Sequence, residues 1–166
     1  DGNSTLFGDK GLKEEGKKVL RALNQNGLLV MARGLNHSQA EALLKDSQDP
    51  LILLSRQIPG KGVLELITKS KSALGLILGQ EELPSAYFKR LDEAKESLST
   101  DHLLIVNEQC LWREQGREQM LGVISEILKA KYERTEISNL FSESFLRILK
   151  EVRREGEQAP VAFIPF

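Results

Sequence analysis

Apolar residues in this 166-residue chain recur at three- and four-residue intervals, in stretches cut by Gly, Pro and Asn-Gly breaks. That spacing is the periodicity of one helix face, and it constrains the fold more than any other feature. From Lys10, Leu12, Val19, Leu20 and Leu23 share a face, Glu14 and Lys18 are spaced as an i,i+4 pair, and Asn26-Gly27 suits a helix stop. Ser38 with Glu41 fits a capping box for a short helix to Lys45. Asp49-Pro50 reads as another helix start, followed by a buried run over residues 51–54.

The loop over residues 58–62 precedes a predicted helix over 63–78, with Val63, Leu66, Ile67, Leu74, Ile77 and Leu78 inward and Gly79 as terminator. Pro84-Ser85 opens a helix that buries Tyr87, Leu91, Ala94 and Leu98. Asp101 is placed to cap a long helix to Tyr132, interrupted by Gly116 and Gly122, and a last helical region covers 135–155. The tail from 159 to 166 holds two prolines and two phenylalanines and reads as extended.

The expected fold is therefore all-α, an irregular bundle of about six or seven helices. The alternative is α+β, with a minor sheet pairing residues 28–32 with 161–164. The expected organisation is a flexible segment over 1–9, a helical domain over 10–156 and an extended apolar tail over 157–166.

Hydrophobic residues at 40% and charged residues at 28% describe a globular chain, and with aromatics at 5% the core must be built from Leu, Ile and Val. A net charge of −1 provides no global attraction to nucleic acid or anionic membrane. Cys110 is the single cysteine, so no intrachain disulfide and no multi-cysteine zinc site is available, which points to a reducing intracellular compartment such as the cytoplasm. The triplets Asn3-Ser4-Thr5 and Asn36-His37-Ser38 match a glycosylation acceptor and weigh against that compartment. The longest apolar runs are far shorter than the ~20 residues that span a bilayer, and the start has no signal-peptide pattern. A start at Asp1 suggests a piece of a longer protein.

No catalytic, metal or cofactor constellation stands out. His37 and His102 lack companion ligands at metal spacing, and Cys110 sits on an apolar helix face as an inert thiol. The pairs Glu14-Glu15, Glu81-Glu82 and Asp92-Glu93, with Glu96, fall on solvated faces, away from the apolar pocket that acid–base chemistry needs. Gly75 and Gly79, four apart, would let two helices approach closely.

The expected function is a protein–protein interaction or autoregulatory domain of a larger intracellular protein, its partner another protein or another part of the parent chain. Trp112, Phe163, Ile164 and Phe166 are the candidate contact residues, as exposed aromatic and apolar groups mark interaction sites. The alternative is an anion, phosphate or lipid-head-group module using the Gly60-Lys61-Gly62 loop with Lys69 and Lys71.

Overall fold

Three of the apolar stretches that read as helix contain strands. A computed structural model of the chain describes residues 6–8, 11–108 and 114–153. A small antiparallel hairpin, β1 (Phe7–Gly8) and β2 (Gly11–Leu12), comes first. It is followed by α1 (Glu14–Gln25), β3 (Met31–Arg33), α2 (His37–Asp46), β4 (Ile52–Ser55), α3 (Lys61–Lys69), β5 (Ala73–Leu78), α4 (Pro84–Ser97) and β6 (Leu103–Asn107). Then come α5 (Glu114–Lys129), α6 (Arg134–Ser138), a π-helical turn over Asn139–Glu143 and α7 (Ser144–Val152).

Strands β3, β4, β5 and β6 form one parallel sheet whose spatial order is the chain order. Each strand is joined to its neighbour through a helix, with no reversal of direction. Repeated further, this singly wound arrangement closes into a βα barrel.

The all-α bundle is thus corrected to a mixed α/β fold. The predicted helix over 63–78 is α3 and β5, separated by a turn in which Lys71 adopts φ 55°. The predicted helix over 101–132 is a 3-10 turn at Thr100–His102, β6 and α5. Asp49-Pro50 leads into β4, not into a helix. In each case a strand buried on both faces loses the in–out alternation that identifies a half-exposed strand, and a continuous apolar run fits helical spacing equally well. In the alternative sheet, residues 28–32 do reach a strand, but β3 starts at Met31 and pairs with β4; residues 161–164 lie outside the described residues. The cap of α2 is Asn36 with Gln39, two residues before the expected Ser38 and Glu41.

Register and alternation sort the sheet residues onto two faces. Leu53, Leu74, Leu76, Leu78 and Leu103 bury against Leu43, Leu64, Ile67, Tyr87 and Leu91, so α2, α3 and α4 cover this outer face. Tyr87 on α4 donates its buried hydroxyl to the Leu76 carbonyl at 2.8 Å, fixing helix to strand. Ile52, Leu54, Ala73, Ile77 and Leu104 form a second cluster on the inner face, with Ile148 and Val152 of α7. Arg147 donates to the Lys71 and Asp101 carbonyls at 2.9 and 3.1 Å, which seats α7 across the N-terminal ends of β5 and β6. The C-terminal half of the inner face is left to other residues.

Gly75 sits in the middle of that face. A Cβ there would lie 2.6 Å from Leu54 and 3.0 Å from Val106, so any side chain would force these neighbours to shift. The close helix–helix approach expected of Gly75 and Gly79 is replaced by this close packing within the sheet.

Candidate active-site mouth at the strand ends

Three charged residues close the inner face. Arg33 is the last residue of β3, Arg56 follows β4 and Glu108 follows β6. Each stands two positions after an inner-face residue: Met31, Leu54 and Val106. The Glu108 amide donates to the Leu78 carbonyl at 3.3 Å, carrying the ladder one step beyond β6.

The Nη2 of Arg33 donates to Oε1 of Glu108, and the Nη2 of Arg56 donates to Oε2. Both carboxylate oxygens are thus engaged, each by a different guanidinium. The hydrogen bond from Arg33, followed by that from Arg56, holds the Glu108 carboxyl below the usual glutamate range, against the opposing effect of desolvation. The trio carries a net charge of +1. Both guanidinium groups remain about half exposed, whereas Glu108 is largely shielded.

A second ion pair braces the same end of the sheet. Arg90 of α4 forks onto Glu82, with its Nη2 2.7 Å from each carboxylate oxygen. It also donates to the Ile77 carbonyl at 3.0 Å and to the Arg56 carbonyl. Glu82 in turn accepts from the Gly79 amide at 3.1 Å. Gln119 of α5 donates to the carbonyls of Gly79 and Glu82 at 2.8 and 2.6 Å. The loop after β5 is therefore held by two helices, and Arg56 is held through its backbone by the same arginine.

Beside the trio lies a cavity of about 530 Å³ between the β3 and β4 loops, lined by polar Asn36, Ser55 and Gln57 and apolar Leu35, Ile58 and Val63. That size suits a small ligand. His37 stands at its rim, with Nε2 3.1 Å from Glu41, which also accepts from Lys45 at 3.1 Å. Lys45 first, then His37, hold the Glu41 carboxyl below its usual range.

Of the sequence-predicted site residues, only some are among the described residues. Trp112, Phe163, Ile164 and Phe166 lie outside the described residues, as does Cys110. Lys61 and Lys69 stand at opposite ends of α3, and the groove they share also contains Glu65 and Glu96. Lys71 belongs to the turn before β5, at the end of the sheet remote from the mouth. The three lysines do not converge. The two histidines are also separated, since His102 Nδ1 meets the Ser72 carbonyl at 2.7 Å below the N-terminal ends of the strands. Arg33, Arg56 and Glu108 escaped the sequence analysis. Their one signal is that each ends an apolar run with a charge: Met-Ala-Arg, Leu-Leu-Ser-Arg and Ile-Val-Asn-Glu.

No family model matches the chain, and no curated protein matches it in sequence. Solved structures do match in fold. A metallo peptidase from Rhodobacter sphaeroides, liganded with a phosphinate mimic of the dipeptide L-Ala-D-Ala, superposes with a TM-score of 0.71 at 16% identity, over 86% of this chain and 48% of that one. The probable dipeptidase PvdM from Pseudomonas aeruginosa gives 0.72 at 15%, over 86% and 55%. An amidohydrolase from Pseudomonas aeruginosa gives 0.68 at 13%, over 86% and 57%. The chain spans about half the length of these structures. The expectation of an interaction or autoregulatory module is overturned by these matches, because the matching folds are those of dipeptidases and an amidohydrolase. The anion or lipid-head-group module at Gly60-Lys61-Gly62 is equally unsupported by these matches and by the scattered lysines.

A metallo peptidase implies a divalent ion, and the residues at these strand ends do not fit one. Among the described residues, no group of three or more His, Cys, Asp or Glu is placed to hold a metal. Two of the charges at the mouth are guanidinium cations. Among the described residues, too, no helix is long and apolar enough to cross a membrane.

Proposed function

We propose that this chain forms half of a hydrolase-type βα barrel, and that its mouth recognises a small carboxylate-bearing molecule of peptide or amide character through Arg33 and Arg56. The observation that carries this is the pair of guanidinium groups on neighbouring strand ends, sharing one carboxylate and leaving net positive charge beside a cavity of about 530 Å³. A guanidinium has five N–H donors, and each arginine uses only its Nη2 on Glu108. Among the described residues the remaining donors have no other partner, and they can fork onto a ligand carboxylate, the geometry for which arginine is best suited. In βα barrels the ligand sits at this C-terminal face. The matching peptidase from Rhodobacter sphaeroides holds a dipeptide mimic, and a dipeptide ends in a carboxylate. The single cysteine supports a reducing compartment.

Calorimetric titration with alanyl-alanine and with its C-terminal amide tests the proposal. The acid should bind, the amide should bind at least tenfold more weakly, and the Arg33→Met, Arg56→Met double variant should lose the difference. Equal binding of acid and amide would sink the idea.

A further inference from the structure

The charges at the mouth say more than which ligand suits it. Carboxylates are the natural ligands for a divalent ion here, and Glu108, Glu82 and Glu41, near the strand ends, are already engaged by the protein's own cations. Glu108 has Arg33 on one oxygen and Arg56 on the other. Glu82 has Arg90 on both of its oxygens and the Gly79 amide as well. Glu41 is shared between Lys45 and His37, which also takes up the Nε2 of the one imidazole at the rim. Glu81, on the loop after β5, makes no ion pair among the described residues; the groove it lines contains no His, Cys or Asp, and its one other carboxylate, Glu82, is held by Arg90. An ion entering at Glu108 would have to displace a guanidinium and then lie against two of them, a repulsive arrangement in a partly shielded site.

We infer that the mouth of this half-barrel works without a divalent cation: the Arg33 and Arg56 guanidinium groups take the place at Glu108 that an ion would otherwise hold. In a fold shared with metallo peptidases, the positive charge of the mouth is built into the chain. It ties β3, β4 and β6 together and offers donors, but it provides no exchangeable coordination position. The inference rests on the strand-end mouth being the functional site. It does not depend on the ligand being a peptide, because metal content and ligand binding are read separately.

The test uses the full chain, purified without chelators. Elemental analysis should find zinc, manganese and cobalt well below one per chain. Added Zn²⁺ or Mn²⁺, and EDTA, should leave the melting temperature unchanged, and EDTA should not alter alanyl-alanine binding. Added Zn²⁺ should also leave the Glu108 carboxyl carbon resonance unmoved. One equivalent of zinc that survives dialysis and is lost in Glu108→Gln would overturn the inference. Zinc bound equally by the wild type, Glu108→Gln and Glu82→Gln would place the ion away from the mouth and leave the inference standing. Failure of alanyl-alanine to bind, with no metal present, would count against the ligand proposal alone.

Discussion

Arg33 and Glu108 meet directly although they stand on the two outer strands of the four-stranded sheet. In a flat sheet those strands would be about 14 Å apart. The ion pair spans the inner face from one edge strand to the other, so two long side chains bridge the gap between strands that do not pair with each other. This bridge can be probed by pH. Glu108 is held below the ordinary glutamate value of 4.5, so its ionised form contributes stability above that value and loses the contribution as pH falls through the folded pKa. Urea midpoints of wild type and Glu108→Gln should differ at neutral pH and converge in acid below pH 4.5. A difference that persists unchanged at low pH would mean the carboxylate's charge plays no part.

Gly75 has a packing role on the same face. Gly75→Ala places a methyl 2.6 Å from Leu54 and should destabilise the fold by about 1–3 kcal/mol, measured by chemical denaturation. Pairing it with Leu54→Ala should recover part of that loss. No recovery would show that the strain is in the backbone, not in the contact.

Tyr87→Phe removes the one hydroxyl that ties α4 to β5. The Leu76 carbonyl is then left buried without that donor, and the expected cost is about 1–2 kcal/mol in an equilibrium unfolding measurement. Burial pushes the Tyr87 hydroxyl far above its usual pKa, so it should stay un-ionised in alkaline ultraviolet titration of the folded protein.

Arg90→Met releases Glu82 and two strand-end carbonyls together. A loss of about 2 kcal/mol is expected, along with faster amide exchange at Gly79 and in the loop after β5. If only exposed positions exchange faster, the clamp is not what orders that loop.

Asn36 caps α2 through the Gln39 amide at 3.0 Å, with Gln39 returning the bond at 3.1 Å. Asn36→Ala should cost about 1 kcal/mol, and Ser38→Ala much less. The reverse order would restore Ser38 as the cap.

What could be read from the sequence follows from the physics of each element. The face carrying Tyr87, Leu91 and Ala94 is legible because α4 is amphipathic, with one buried stripe and a proline at its start. The stop at Asn26-Gly27 is legible because Gly27 takes φ 61°, which glycine adopts without strain. Strand β5 is hidden because all six of its residues are buried, so no alternation survives. The mouth is hidden for a different reason. Arg33, Arg56 and Glu108 are far apart in the chain, and only the parallel order of the strands brings their ends together.

That order also sets a sequence of events in time. Each strand pairs with the next one along the chain, so the sheet can grow through short loop closures. The Arg33–Glu108 bridge spans 75 residues and closes only when all four strands are in place. The mouth should therefore be the last part of the sheet to assemble. In stopped-flow measurements, Glu108→Gln should leave the refolding rate nearly unchanged and speed unfolding, the signature of contacts formed after the transition state. A protein of this design should complete its sheet first and gain the Arg33–Glu108 bridge last, so chains caught midway in folding would carry the paired strands without their charged cross-link.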